Sequence, residues 1–255
     1  LNETFSDRNK EEKMEYYLDS HAHTIASGHA YNTIFEMAEA AAQKGLKLLA
    51  LTEHAVAMPG TCHEFYFSNL RMLPRRIKGI EVLFGAEVNI MDYEGNVDMD
   101  EGLLAQMDVV VASLHTPCIR PGTKEENTKA LLGAMKNPYV NIIGHPDDGR
   151  YPVDFEALVQ TAKERHVLLE LNNTSLHPKG SRKDPKPNDR EMLRLCSQYQ
   201  VPIIVNSDAH SAFDVGEHGY AEALLKEMRF PGELIVNRSV EEYKKYINRK
   251  ESGTF

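Results

Sequence analysis

The sequence predicts an α/β barrel, and three observations carry that prediction. Short apolar runs alternate regularly with helical patterns along 255 residues, a length that one large barrel domain accommodates. Seven of the runs are almost continuously apolar, as strands of a parallel sheet covered on both faces must be. Six of the seven release His, Glu or Asp at their carboxyl ends, where the loops of a closed barrel converge on one pocket and those of an open sheet splay apart.

Taken in order, the charged leader LNETFSDRNKEEK (residues 1–13) reads as a flexible extension ahead of a single domain over 14–255. The first strand is Tyr16 to Asp19, leading into SHAH. Thr33 to Lys44 (TIFEMAEAAAQK) is an Ala-rich helix that stops at Gly45. The later strands are LKLLALTEH, EVLFGAEV, DVVVASLH, VNIIGHP, VLLELNN and PIIVNSDAH. Further helices are expected near residues 68–78, 123–136, 154–165, 188–199 and 220–228. No repeat, low-complexity tract or linker divides the chain.

The formal charge of −9 disfavours a broad nucleic-acid surface, which needs clustered Lys and Arg to neutralise phosphates. Bound divalent cations would offset much of that charge. Cys62, Cys118 and Cys196 are odd in number, far apart and without CxxC spacing, so they read as small reduced core residues. No apolar run approaches the ~20 residues of a membrane span, and the opening residues lack a signal-peptide apolar stretch, so a cytoplasmic protein is expected.

The stretch Leu18 to Ala30, LDSHAHTIASGHA, places three histidines within nine residues. His21 and His23, two apart as they leave a strand, point the same way and can grip one ion. HxH by itself is weak. It gains force from its companions: His21, His23, His29, His54, Glu87, His115, His145, Asp208 and His210 fall in strand order, with a second alternating pair at the last strand. Imidazoles crowded without such a purpose would repel when protonated. Catalytic sites use about three protein ligands per ion and leave a position for water, so nine donors divide naturally among three metals.

The ordered run HAH, GHA, TEH, GAEVN, SLH, GHP and SDAH resembles the PHP (polymerase and histidinol phosphatase) family, most closely its YcdX-like phosphatase branch, from Tyr17 to about Asn237. The resemblance implies a distorted (β/α)7 TIM-like barrel with three metals at the C-terminal face of the strands. It also implies that His21, His23, Glu87 and Asp208 hold the first metal, that Glu87 bridges to a second held by His115 and His145, and that His29, His54 and His210 hold the third. Glu87 and Asp208 would then sit at the catalytic centre. Two departures stand out. TEH replaces the more frequent TDH, giving Glu53 a longer reach towards its neighbours. After GHP, the residues DDG add Asp147 and Asp148 near the rim, where they are expected to repel an anionic substrate.

Two cations sharing a carboxylate can also share a water, lower its pKa towards neutrality and aim it at phosphorus. The expected activity is therefore hydrolysis of a small phosphomonoester by a hydroxide bridging the metals. Histidine-rich donors favour Zn, although Mn and Fe accept the same set. Arg71 in NLRMLPRR, Arg182 in KGSRKD and His63 in CHEFYF are candidates to meet the substrate, because the loops after strands two and six are long enough to fold over the pocket. Asn172 and Asn173 end strand six without a ligand and are candidates either to hydrogen-bond behind the metals or only to form a turn. The alternatives are an exonuclease-type phosphodiesterase, an amidohydrolase-like metal hydrolase and a non-catalytic metal-binding module. The first lacks a basic surface, the second usually needs a Lys or carboxylate where His115 stands, and the third is at odds with a fully furnished ligand set.

Overall fold

The computed structural model describes residues 15–247. The expected extension over 1–13 lies outside them, as do residue 14 and residues 248–255. Seven strands run parallel: β1 (Leu18–Asp19), β2 (Leu48–His54), β4 (Ile80–Asn89), β5 (Val110–Ser113), β6 (Ile142–Ile143), β7 (Leu168–Asn172) and β8 (Ile203–Asn206). Their order in the sheet is β1-β2-β4-β5-β6-β7-β8, and an additional strand, β3 (Arg76–Ile77), pairs antiparallel with β4. A parallel bridge between Ala22 and Ala209 brings the two ends together, so the barrel is nearly closed. The registers set His54 opposite Glu87 and Asn172 opposite Asn206, which levels the carboxyl ends of neighbouring strands.

Along one face of each strand, every second residue turns inward, and these positions change character from bottom to top. In β2, Leu48 and Ala50 lead to Thr52 and His54. In β4, Leu83 leads to Gly85 and Glu87. In β8 and the residues that follow it, Ile204 leads to Asn206 and Asp208. The lower members pack with Leu18, Val109, Val111, Ile142 and Leu168 into an apolar interior, closed by Val236 and by Tyr243 and Ile247 of the last helix, α8 (Val240–Ile247). The polar members form the upper floor. A larger apolar layer lies between the sheet and the outer helices.

Those helices follow the sequence closely: α1 (Ile34–Gln43), α4 (Lys124–Ala134), α5 (Phe155–Arg165), α6 (Pro185–Tyr199) and α7 (Gly219–Met228). Thr33 with Glu36 and Thr123 with Glu126 form reciprocal capping boxes, and Asp154 caps α5. The helix expected over 68–78 does not form. Helix α2 (Glu64–Asn69) instead passes into a 3-10 turn, Leu70–Met72, and then β3. Pro74 forces its predecessor out of helical geometry, and Leu73 is extended at φ −85°, ψ 142°. A short helix α3 (Glu101–Leu104), set after Asp100, and α8 were not anticipated. Among the described residues the three cysteines are free; Cys196 is core, as expected, but Cys62 and Cys118 are only half-buried. Burial pushes their thiols up, to about 11 for Cys62 and Cys118 and about 12 for Cys196, so none is poised as a nucleophile. No described helix is long and apolar enough to cross a membrane.

Candidate metal centre

Seven imidazoles meet above the apolar floor in an unbroken set. The rings of His21 and His23 lie 5.1 Å apart, His23 and His54 4.3 Å, His54 and His115 5.1 Å, and His115 and His145 5.2 Å. His210 stands 4.5 Å from His23, and His29, exposed at the outer edge, stacks 4.8 Å from His54 and 4.9 Å from His210. Glu87 sits among them. Its Oε1 accepts from His145 Nε2 at 2.8 Å and lies 3.2 Å from His115 Nε2, while its Oε2 lies 2.7 Å from His54 Nδ1, 3.4 Å from His21 Nε2 and 3.5 Å from His23 Nε2. Asp208 Oδ1 faces His23 Nε2 at 3.3 Å and His21 Nε2 at 3.7 Å. The nine sequence-predicted residues thus share one pocket.

Backbone geometry helps to aim two of them. His145 (φ +29°) and Asp208 (φ +53°) occupy the left-handed region, which costs a non-glycine residue about 1–3 kcal/mol and persists only where the surroundings enforce it. Gly144 explains the tight approach beside His145, since a Cβ there would meet Ser113 Oγ at 2.3 Å. In the loop that carries His29, Gly28 adopts φ +81°, and a Cβ would strike the Gly60 carbonyl at 2.0 Å.

Behind the pocket, hydrogen bonds fix which ring nitrogen faces it. Glu170, fully buried on β7, accepts from His21 Nδ1 (2.8 Å), the His145 backbone N–H (2.8 Å), Asn172 Nδ2 (2.9 Å) and Asn206 Nδ2 (2.8 Å). Ser27 Oγ donates to Glu53 at 2.6 Å, so its oxygen is free to accept from His23 Nδ1 at 3.1 Å and from the His54 N–H at 3.0 Å. Glu53 therefore does orient its neighbours across its longer reach. His115 Nδ1 donates to Asn89 Oδ1 at 2.7 Å, and Asn89 is held in turn by Asp98 at 2.7 Å. Such outer partners fix ring orientation and tautomer at metal sites. Asn172 joins this layer as expected, whereas Asn173 caps α7, accepting from the Tyr220 and Ala221 N–H groups. Glu170 escaped the sequence reading, although it is the lone charge in the apolar run VLLELNN and shares a strand face with Asn172.

The electrostatics keep the carboxylates ionised. Burial alone would raise Glu87, but His115, His21 and His54 outweigh it and hold the group well below its ordinary value; burial at Asp208 is likewise outweighed by His21 and Arg182. Burial, followed by repulsion from His54 and His210, drives His23 well below its usual range, and burial with nearby Arg182 lowers His145 to about 4. His21 is the exception: burial lowers it, but Glu170, Glu87 and Asp208 together raise it well above.

Do divalent cations fit this donor set? Four buried atoms aimed at the centre, His21 Nε2, His23 Nε2, His54 Nδ1 and Glu87 Oε2, have no hydrogen-bond partner, an expensive arrangement for polar atoms without a ligand. Three overlapping groups bring their donor atoms within 4.8 Å: His21, His23 and Asp208; His54, Glu87 and His115; His23, His54 and His210. The residues fit. The grouping differs from the division implied by the resemblance, because His54 faces Glu87 as well as His210, and His23 belongs to two groups.

The candidate substrate residues fare unevenly. Arg182 reaches the centre, its Nη2 donating to Asp208 Oδ2 at 2.9 Å and its Nη1 lying 3.4 Å from Asn172 Oδ1. Arg71 is exposed on the turn Leu70–Met72, and exposed His63 caps α2 by accepting from the Phe65 N–H; neither forms a hydrogen bond or ion pair with the cluster. Of the two acids expected near the rim, Asp148 is paired with Arg150, whose Nε donates at 2.8 Å, and Asp147 is fully buried.

A nearly closed parallel barrel whose C-terminal mouth gathers histidines around two buried carboxylates is an arrangement that could hold divalent cations. The PHP domain model matches residues 19–249, so the chain belongs to the PHP domain family. A probable phosphatase of Clostridium novyi is 46% identical over 237 residues, spanning 93% of this chain and 96% of its own. One from a Thermoanaerobacter species is 46% identical over 238 residues, with the same coverage of each. The solved histidinol phosphate phosphatase of Lactococcus lactis, complexed with zinc, L-histidinol and phosphate, aligns at TM-score 0.55 and 17% identity over 85% of this chain and 95% of that one, a likeness of fold. The chain is an enzyme of the phosphatase class of hydrolases.

Proposed function

We propose that this protein hydrolyses a small phosphomonoester at a centre of three divalent cations held by His21, His23, His29, His54, Glu87, His115, His145, Asp208 and His210. The observation that carries the reading is the set of orphaned donor atoms around the shared Glu87 carboxylate. Bound cations would supply Lewis acidity towards phosphate oxygens and an acidified water, chemistry for which no Ser or Cys nucleophile is arranged among the described residues. Zinc suits the imidazole-rich set, and Mn or Fe would be accepted by the same donors.

The chain's own residues do the positioning. Glu87, central to the rings, supplies the charge that lets cations lie close together. Asp208 and Arg182 form a charge pair at the mouth, and Arg182 is the residue we assign to the phosphate, since its guanidinium matches phosphate geometry and is already held at the centre. Glu170, Ser27 and Asn89 hold His21, His23 and His115 by their far nitrogens, so that little reorganisation accompanies binding.

Elemental analysis of purified protein, followed by assays on a phosphomonoester, a phosphodiester, single-stranded DNA and an amide, tests the proposal. About three equivalents of metal and a preference for the monoester are expected. A preference for DNA would replace the reading with the phosphodiesterase alternative, and turnover of the amide alone would replace it with the amidohydrolase one.

A further inference from the structure

Of the eight large apolar side chains exposed among the described residues, six follow three adjacent strands, and Met72 and Met91 are the other two. Phe213 is 88% exposed, Phe65 78% and Tyr31 77%, with Ile25, Phe35 and Tyr220 also exposed. All six lie in the loops or first helical turns that follow β1, β2 and β8, three adjacent strands at the mouth of the pocket. Ile25 comes two residues after His23, Tyr31 two after His29 and Phe213 three after His210. Single exposed apolar residues are ordinary; their gathering beside a polar pocket is not.

The loops that carry them are tied together. The Tyr31 N–H donates to the His210 carbonyl at 2.9 Å, the Ile25 N–H to the Asn32 carbonyl at 2.9 Å and the Ala212 N–H to Asn32 Oδ1 at 2.8 Å, while Lys44 Nζ holds the Phe213 carbonyl at 2.7 Å. The loops after β6 and β7 carry charge instead, with Arg150 on Asp148 and with Arg182 reaching Asp208 at the end of β8. The mouth therefore has a polar side and an apolar side.

We infer that the apolar arc receives the organic part of the ester, making this a phosphatase for monoesters of alcohols that carry an aromatic or bulky aliphatic group, in preference to sugar or polyol phosphates. The inference rests on the phosphomonoesterase reading above. Its occupant is fixed by continuity with the centre: a phosphate held among the histidines places its alkyl group at the mouth, where these side chains begin. Ligand sites commonly join a few fixed polar groups to apolar walls in this way.

The test compares the metal-loaded enzyme on 2-phenylethyl phosphate and glycerol 1-phosphate, both esters of primary alcohols. We expect kcat/KM to favour the phenylethyl ester by about tenfold or more, the range that one hydrophobic subsite supplies. In the Tyr31→Ser/Phe213→Ser double variant that ratio should collapse towards one, through a raised KM for the aromatic ester. Because both positions are exposed, folding is not at stake. A wild-type ratio near one, or a ratio that survives the double substitution, overturns the inference while leaving the phosphatase reading in place. So does a variant that changes the oligomeric state but not the ratio, which would mark the arc as an interface between copies. Hydrolysis of neither ester would overturn the phosphomonoesterase reading itself, and the arc's assignment with it.

Discussion

Two pairs of buried carboxylates lie near each other in this barrel and behave in opposite ways. Glu87 and Asp208 are buried yet held well below their ordinary pKa values, because His115, His21 and Arg182 outweigh the burial that opposes their charge. Asp147 and Asp189 are as deeply buried, but no oxygen of either side chain has a hydrogen-bond partner. Burial pushes Asp147 up to about 6 against the pull of Arg182, and raises Asp189 well above its usual value, with Asp147 and Glu170 adding to the shift. Depth alone thus does not decide whether a carboxyl is charged; its neighbours do. The first pair is surrounded by groups that welcome charge, and the second faces its own kind.

That contrast can be broken first at Glu87. Glu87→Gln is nearly isosteric and should preserve the circular dichroism spectrum, while kcat/KM falls on the order of 10³-fold and bound metal drops, as expected when a central electrostatic group is removed. Unchanged metal content and turnover would show that Glu87 is a structural carboxylate like the other pair. One layer back, Glu170→Gln keeps shape but weakens the anchor on His21. Metal affinity should fall by about 10- to 100-fold, measured by competition with a chelator, and an unaltered affinity would remove Glu170 from the orienting layer.

Arg182 lies between the two pairs, bonded to Asp208 and within the field of Asp147 and Asp189. Arg182→Lys keeps the charge and loses the fork, so KM for a phosphomonoester should rise about tenfold with kcat changed less. A fall in kcat with KM constant would argue against a role in binding phosphate.

The smallest effect is expected at the second pair and concerns stability. Because the Asp189 pKa is raised in the fold, the native state binds its proton more tightly than the unfolded chain, so its contribution is fully present below the unfolded pKa of about 3.9 and is lost as pH rises through the native value. Asp189→Asn removes that loss. The variant should gain stability relative to wild type as pH rises above the unfolded-state value, read from urea melts at several pH values. A difference that does not vary with pH would mean that the native Asp189 carboxyl titrates as it does in the unfolded chain.

Much of the site was legible because strands repeat with period two and end on a common level. HAH, TEH, SLH, GHP and SDAH each announce polar side chains at the top of an apolar run, and a closed sheet brings such tops together whatever the details of packing. Helix positions were legible for similar local reasons, through caps such as Thr33 and Asp154. The segment near 68–78 misled because its propensity for helix was overruled by Pro74 and by pairing of Arg76 and Ile77 with β4. What the tertiary structure alone decided are partnerships between residues distant in the chain. Glu170 meets His21 across 149 positions, Arg182 chooses Asp208 over the adjacent acids, and Asp148 and Asp147, neighbours in sequence, part company into an ion pair and a buried carboxyl. Local pattern fixes which face a side chain takes, but the charge it carries depends on everything packed around it, and that environment exists only once the barrel has closed.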